Sequence, residues 1–305
     1  MARLGVDLGG TKIEAIILGD QGQIMARRRV ATPSDYLAKL DAIRSLVHAI
    51  EAEAGVAAPL PAGIGHPGSL NPRTGLMRNA NSTELNGHRL DADLARTLER
   101  PVRLANDANC FALSEARDGA GAGAGSVFGV ILGTGVGGGM VLNGQLIEGS
   151  GRLGGEWGHT GLPWSSAEET PGPSCKCGRD GCIEAWCSGP GLSADHRRET
   201  GQPLTAAEIS GRASTGDRAA LATLERHHDR VARGLSSVIN IFDPEVIVLG
   251  GGLSNIPGID TAIRDALPRY VFSDEVTTRI CRHAHGDSSG VRGAAWLWPD
   301  TRGRS

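Results

Sequence analysis

A mixed α/β fold in two domains is predicted for this chain of 305 residues, and three observations predict it. Apolar, β-rich runs alternate along the whole length with stretches of helical spacing. Two glycine turns, Gly9-Gly10 and Gly133 to Gly139, each follow such an apolar run, one in each half. A small-residue stretch from Gly119 to Gly125 lies between them and marks a domain boundary. The domains expected are 1–118, completed by a C-terminal helix in 288–305, and 119–287.

Composition narrows the class. Hydrophobic residues at 40% and charged residues at 21% fit a globular chain with a sizeable core. A formal net charge of −3 offers no basic footprint, so no nucleic-acid partner is expected. The N-terminus Met-Ala-Arg-Leu-Gly-Val-Asp has no basic-then-apolar leader. Residues 126–147 carry no charge, but their glycine clusters and the Asn143-Gly144 turn fit a strand pair better than a membrane span. No membrane partner and a cytoplasmic location follow. In that reducing compartment the six cysteines read as metal ligands before disulfides.

The elements run in this order. Leu4 to Leu8 and Ile13 to Leu18 are strands joined by Gly9-Gly10-Thr11-Lys12, and Ile24 to Val30 is a third. Gly9-Gly10 alone could be an ordinary hairpin turn; the second glycine segment favours phosphate-facing turns. The Walker A pattern is absent. Tyr36, Leu40, Ile43, Val47 and Ile50 set a helix over 35–54. Ala62 to Gly65 is a short strand ending at Pro67-Gly68-Ser69, where open α/β sheets bind ligands. Leu90, Leu94 and Leu98 mark a helix, Val102 to Ala105 a strand, and Ala108 to Ala116 a helix. Asn106 and Asp107 therefore sit at a strand's C-terminal end, where a helix cap is the plain reading. Helices begin over 188–194 and 205–210, and a long one runs from Asp217 to Asn240. Val246 to Leu249 is a buried strand followed by Gly250-Gly251-Gly252, and 290–298 is a terminal helix.

The metal signal rests on spacing. Cys175, Cys177 and Cys182 with His159 make a four-ligand, closed and structural zinc site. Glu156 lies three residues before that histidine and Glu184 two after the last cysteine, so a metal holding both loops holds both carboxylates. Cys187 could substitute for a ligand, whereas Cys110 and Cys281 read as small buried hydrophobes.

Larger motifs carry a resemblance. Leu132 through His159 resembles the signature of the ROK family of sugar kinases and repressors, and Cys-x-Cys-Gly-x-x-Gly-Cys-x-Glu at 175–184 resembles its zinc motif. The segments 158–164 (GHTGLPW), 104–110 (LANDANC) and 285–296 (HGDSSGVRGAAW) are similar to the bacterial ROK fructokinases, also called mannokinases. The resemblance covers essentially the whole chain. It implies the actin-like ATPase (ribonuclease H-like) fold shared with hexokinases, with a cleft between the domains. It further implies an ATP-dependent kinase acting on the 6-hydroxyl of fructose, and of mannose or glucose as alternatives.

The resemblance also implies roles. Asp107 becomes the general base, and Asp7 orients hydrated Mg²⁺ bound with ATP. Gly9, Gly10, Thr11, Lys12, Gly133, Thr134 and Gly135 cradle phosphates, and Gly250, Gly251 and Gly252 meet the adenosine. Gly68, Ser69, Asn81, Asn106, Asp107, Glu156, His159 and Glu184 line the sugar pocket; a plain structural role for His159 is the rival reading. A homodimer is expected. Two departures bear on the sugar: His66 replaces the family's usual aliphatic residue, and Thr160-Gly161 replaces an Asn-Pro of the fructokinases. A ROK glucokinase, an N-acetylhexosamine kinase and a non-catalytic sugar-sensing ROK protein are the other readings. The last needs a helix-turn-helix segment ahead of the first strand, and Asp7 leaves no room for it.

Overall fold

The first strand is apolar on both faces because both faces are covered. β1 (Arg3–Leu8), β2 (Lys12–Leu18) and β3 (Ile24–Ala31) form an antiparallel meander in a computed structural model that describes residues 2–298. β1 also pairs in parallel with β4 (Ala62–His66). A two-stranded ribbon follows, β5 (Ser69–Leu70) with β6 (Met77–Arg78), and then β7 (Val102–Asn106), which pairs in parallel with β4. The first sheet thus has the order β3-β2-β1-β4-β7.

One face of this sheet is covered by α1 (Tyr36–Glu53) and α2 (Leu90–Leu98). The stripe Leu40, Ile43, Val47 and Ile50 is buried as the spacing requires, and the Asp35 carboxylate caps the helix by accepting from the Ala38 amide at 2.9 Å. Asp107–Asp118 forms α3 after β7.

The second sheet repeats the pattern. β8 (Ser126–Leu132), β9 (Val136–Leu142) and β10 (Gln145–Leu146) are joined in turn, the last two across Asn143 (φ 49) and Gly144 (φ 69). Two left-handed residues make the mirror-image turn that suits strand twist. The helices α4 (Ile183–Cys187), α5 (Gly189–Thr200), α6 (Ala206–Ser214) and α7 (Arg218–Phe242) come next. β11 (Val246–Gly250) pairs in parallel with β8, and beyond α8 (Ile259–Ala266), β12 (Arg279–Arg282) pairs in parallel with β11. The order β10-β9-β8-β11-β12 is again a three-strand meander extended by two parallel strands. α8, β12 and the short α4 carried no sequence expectation; α8 is only eight residues long, too short for a decisive period.

The described residues fold as two compact units: residues 2–123, 139–154 and 287–298, and residues 124–138 and 155–286. The segment 139–154 packs with the first unit, although no local signal in the sequence marks that return. Within the first unit α9 (Ser289–Trp296) covers the second face of the first sheet. The terminal stretch 299–305, expected to complete this domain, lies outside the described residues.

Glycines set how closely α9 packs. A Cβ on Gly63 of β4 would stand 1.8 Å from the Ala294 carbonyl oxygen, and one on Gly293 would stand 1.6 Å from that of Cys110. Backbone meets backbone on both sides of the helix, and Val291, Ala294 and Ala295 are fully buried there. No flexible side chain can yield. Gly293→Ala is therefore expected to destabilise the protein by at least ~2 kcal/mol, measured by denaturant unfolding.

In the second unit His227 and His228 of α7 are buried, with 1% and 8% exposure. Burial holds His227 down to about 4, despite its bond to the Cys187 carbonyl, and His228 down to about 3, with the neighbouring His227 adding to the effect. Both must fold neutral. Their unfolded forms take up protons near pH 6.5, so their contribution is complete above that pH and is lost as pH falls from there to about 4. Between pH 7 and 5 each should remove roughly 2 kcal/mol. Glu169, held at about 2 against the cost of its burial by bonds from Arg233 and Arg230, gives way only below this window. Denaturation curves across pH 5–7, for the wild type and for His228→Phe, check this; the variant should show the shallower slope.

Candidate active site

The first unit gathers carboxylates at the C-terminal ends of β1 and β7. Asp7 stands near the end of β1 in register with Glu14 of β2 and Gly65 of β4. Cβ atoms on Gly65 and Gly290 would lie 3.5 and 3.6 Å from its two carboxylate oxygens, so Asp7 occupies a slot between glycines. Burial above all, then the Asp107 and Glu14 charges, raises Asp7 to about 7, with Lys12 pulling the other way. Such a group is poised to release its proton to water when a cation arrives.

Asp107 opens α3. The Asn106 carboxamide oxygen accepts from the Ala108 amide at 2.9 Å, and the Asp107 Oδ1 accepts from the same amide at 2.8 Å. The cap reading is thus real for Asn106. Asp107 gains from the position as well, because the helix N-terminus favours an ionised carboxylate. Asn106 also donates through Nδ2 to the Gly68 carbonyl at 3.0 Å, which ties the β4 turn to the β7 end. Asn106, Asp107, Gly68 and Ser69 therefore share one corner. Asn81 is exposed, between β6 and a short turn at 83–85.

The turn from Gly9 to Lys12 closes with the Gly9 amide donating to the Lys12 carbonyl at 3.1 Å. Thr32 steadies it by donating its hydroxyl to the Gly9 carbonyl at 2.7 Å. Gly10 and Thr11 are left exposed at its tip.

The second unit brings its two glycine turns together. Gly251 has φ 78, and a Cβ there would stand 2.4 Å from the Leu132 carbonyl oxygen. Gly250 to Gly252 thus lies against the start of Gly133 to Gly135, where Thr134 is exposed. A Cβ on Gly135 would meet Glu184 Oε2 at 2.6 Å, and that oxygen accepts from the Val136 amide at 2.9 Å. Glu184 Oε1 pairs with Lys176 Nζ at 3.2 Å. Glu156 precedes the short turn Trp157–His159; it is exposed and makes no side-chain hydrogen bond among the described residues.

His159, Cys175, Cys177 and Cys182 converge, with all four ligand atoms within 4.8 Å of one another. Cys175 Sγ lies 3.6 Å from His159 Nδ1, and Cys177 Sγ lies 3.6 Å from Cys182 Sγ. A tetrahedral zinc with Zn–S near 2.3 Å and Zn–N near 2.0 Å separates its ligands by ~3.5–3.8 Å, so the donor set fits that ion. Cys187 is fully buried outside this set.

Residues 3–301 match the ROK family over nearly the full length. The chain belongs to the ROK family. It is 43% identical over 298 residues to the N-acetyl-D-glucosamine kinase of Escherichia coli strain K12, covering 96% of this chain and 98% of that one. A ROK hexokinase from Thermus thermophilus is 35% identical, with a TM-score of 0.86 over 97% of both chains. A ROK family glucokinase from Streptomyces griseus, solved with glucose and AMPPNP, is 28% identical, with a TM-score of 0.77 over 97% of this chain and 98% of that chain. The fold is accordingly the actin-like ATPase fold, and the protein is a ROK sugar kinase.

Two features of this ROK kinase had no signal in its motifs. Arg78 donates to Ser69 Oγ at 3.2 Å and to the Gly151 carbonyl at 2.7 Å, so a residue 73 positions away in sequence is tied to the β4 turn. In the other unit, Glu169 lies in the loop between His159 and the cysteines. It accepts from Arg230 Nε at 2.7 Å and from Arg233 Nη1 and Nη2 at 2.7 and 2.8 Å. Arg233 also donates to the Trp164 carbonyl at 3.0 Å, and Arg230 stacks over Trp186 of α4 at 4.3 Å. The long loop is thereby pinned to α7. A glutamate and two arginines far apart in sequence announce no such pairing; only the i, i+3 spacing of Arg230 and Arg233 on a buried helix face hinted at it. Among the described residues no helix is long and apolar enough to cross a membrane.

Proposed function

We propose that the protein transfers the γ-phosphoryl group of ATP to the 6-hydroxyl of N-acetylglucosamine. The observation that carries the acceptor is the 43% identity, over 98% of its length, to a protein named for that sugar. Fructose, expected from the motifs, is the competing acceptor, and no relative described above is named for it.

The residues divide the work. Phosphoryl transfer asks chiefly for positioning and charge stabilisation. Asp107, ionised at a helix N-terminus, takes the proton of the sugar hydroxyl as that oxygen attacks. Asn106 and the Gly68-Ser69 turn hold the sugar beside it, with Asn81 at the border. The turns at 9–12 and 133–135 present backbone amides to phosphate oxygens, and 250–252 receives the adenosine. Asp7 fits hydrated Mg²⁺, because a hard carboxylate oxygen disfavoured as an anion is relieved by a cation; the ion supplies neutralisation of phosphate charge. Glu156, His159 and Glu184 read the far end of the sugar. His159, Cys175, Cys177 and Cys182 hold a structural zinc that fixes the loops bearing those carboxylates. A homodimer in the cytoplasm, where free sugar and ATP meet, completes the reading.

Steady-state assays across N-acetylglucosamine, N-acetylmannosamine, glucose, mannose and fructose test the acceptor. The highest kcat/KM is expected for N-acetylglucosamine, and a higher value for fructose would restore the fructokinase assignment. Asp107→Asn should keep the fold and the KM for ATP while lowering kcat by ~10²-fold or more. Elemental analysis should find about one zinc per chain. Cys177→Ser should lose the metal and most sugar affinity, since structural zinc contributes ~10–16 kcal/mol in small peptides; full activity without metal would remove zinc from the account.

A further inference from the structure

His66 ends β4 in register with Asn106 of β7, one residue before the Pro67-Gly68-Ser69 turn. Its side chain is only 2% exposed. The ring is fixed by one bond, Nδ1 to the Pro67 carbonyl at 3.0 Å. A carbonyl can only accept, so the proton sits on Nδ1 and Nε2 keeps a lone pair. Burial holds the ring neutral by lowering its pKa to about 4, with the Arg152 charge acting in the same direction. Nε2 has no hydrogen-bond partner among the described residues, so the fold makes no use of the acceptor it has oriented.

Arg152 is the second unexplained residue. Its φ of 51 is left-handed, a conformation unfavourable for a residue that carries a side chain. The residue is half-buried, and its guanidinium has neither a carboxylate nor a hydrogen-bond partner among the described residues. Arg78 holds the segment in place, since one guanidinium bonds both Ser69 Oγ and the Gly151 carbonyl. The loop bearing Arg152 is therefore tied to the same turn that His66 precedes. A strained, unpaired cation beside a buried, unused acceptor adds nothing to stability.

We propose that His66 and Arg152 together read the 2-acetamido group of the sugar: His66 Nε2 accepts the amide N–H, and the Arg152 guanidinium donates to the amide carbonyl. The inference rests on the N-acetylglucosamine reading above. An amide carries its donor and its acceptor on separate atoms in a fixed plane, matching one acceptor and one donor on separate side chains. A hydroxyl has both functions on one oxygen and cannot meet the two side chains in good geometry together. Position agrees as well. Neighbouring parallel strand ends stand ~4.8 Å apart, so a sugar ring held by Asn106 and Asp107 at the end of β7 extends over the end of β4.

The test uses N-acetylglucosamine and glucose, which differ only in the substituent at C2. The ratio of kcat/KM for the two is measured for the wild type, His66→Ile and Arg152→Gly. Each variant should lower the ratio by ~10-fold or more, the worth of one hydrogen bond of ~1.4 kcal/mol. The loss should fall on KM for N-acetylglucosamine rather than on kcat. His66→Gln, which keeps a side-chain acceptor, should recover part of it. Arg152→Gly relieves the left-handed strain, so its melting temperature should not fall, which separates a lost contact from a lost fold. Ratios within about twofold of the wild type in both variants would overturn the inference alone. A wild type that does not phosphorylate N-acetylglucosamine would overturn the substrate reading, and this inference with it.

Discussion

The contact between α9 and the first sheet is the constraint on which the first unit's chemistry depends. A helix normally keeps its neighbours at 8–10 Å through its side chains. Here Gly5 and Gly63 let α9 sink onto β1 and β4, while Gly293 lets α3 lie against its other side. The elements drawn together are those that carry the carboxylates. Asp7 lies near the end of β1, Asp107 opens α3, and Gly290 in the first turn of α9 leaves the slot beside Asp7. Burial above all, and then the nearby Asp107 and Glu14 charges, makes an ionised Asp7 unfavourable, and its raised pKa expresses that cost. Tight packing from three sides prevents the carboxylates from moving apart to relieve it.

The second unit solves a different problem, that of fixing a long loop with little secondary structure. Such loops expose backbone groups and bury few apolar side chains, so they are held from outside. Two devices act here on the segment between His159 and Cys182. One is the zinc proposed for His159, Cys175, Cys177 and Cys182; the other is the clamp of Arg230 and Arg233 on Glu169. Removing one partner of so buried a set leaves an uncompensated charge, so the members depend on one another more than their separate contributions suggest. Glu184 links the loop to the glycine turn, because one oxygen accepts from Val136 N while the other faces Lys176.

Much of this architecture was legible in the sequence, for identifiable reasons. β1, β2, α1, α7 and β11 are written in long apolar periods, and the Asn143-Gly144 turn in a dipeptide that few other conformations suit. The convergence of His159 with Cys175, Cys177 and Cys182 was legible because the small radius of a metal ion dictates the spacing of its ligands. Asn106 and Asp107 were legible because strand end and helix start meet there. What could not be read depends on distant residues meeting: Arg78 on Gly151, the arginines on Glu169, and the packing of 139–154 with the first unit. α8 and β12 were missed because short elements give too few repeats of a period.

That division follows function. The reaction class depends on backbone turns, strand ends and ligand spacing, which are local and leave local marks. The choice of acceptor depends on side chains such as His66 and Arg152, brought together by a tether, Arg78, that touches neither periodicity nor motif. A motif resemblance therefore transfers the chemistry more securely than the sugar. The fructose expectation came from the segments 104–110, 158–164 and 285–296, and none of these contains His66 or Arg152. Near β4 the informative residue was the one departing from the family pattern. His66 replaces an aliphatic side chain with a buried ring whose second nitrogen the fold leaves unused. An acceptor oriented by the fold and left for a ligand makes departures of this kind the first place to look when relatives agree on the reaction and differ on the substrate.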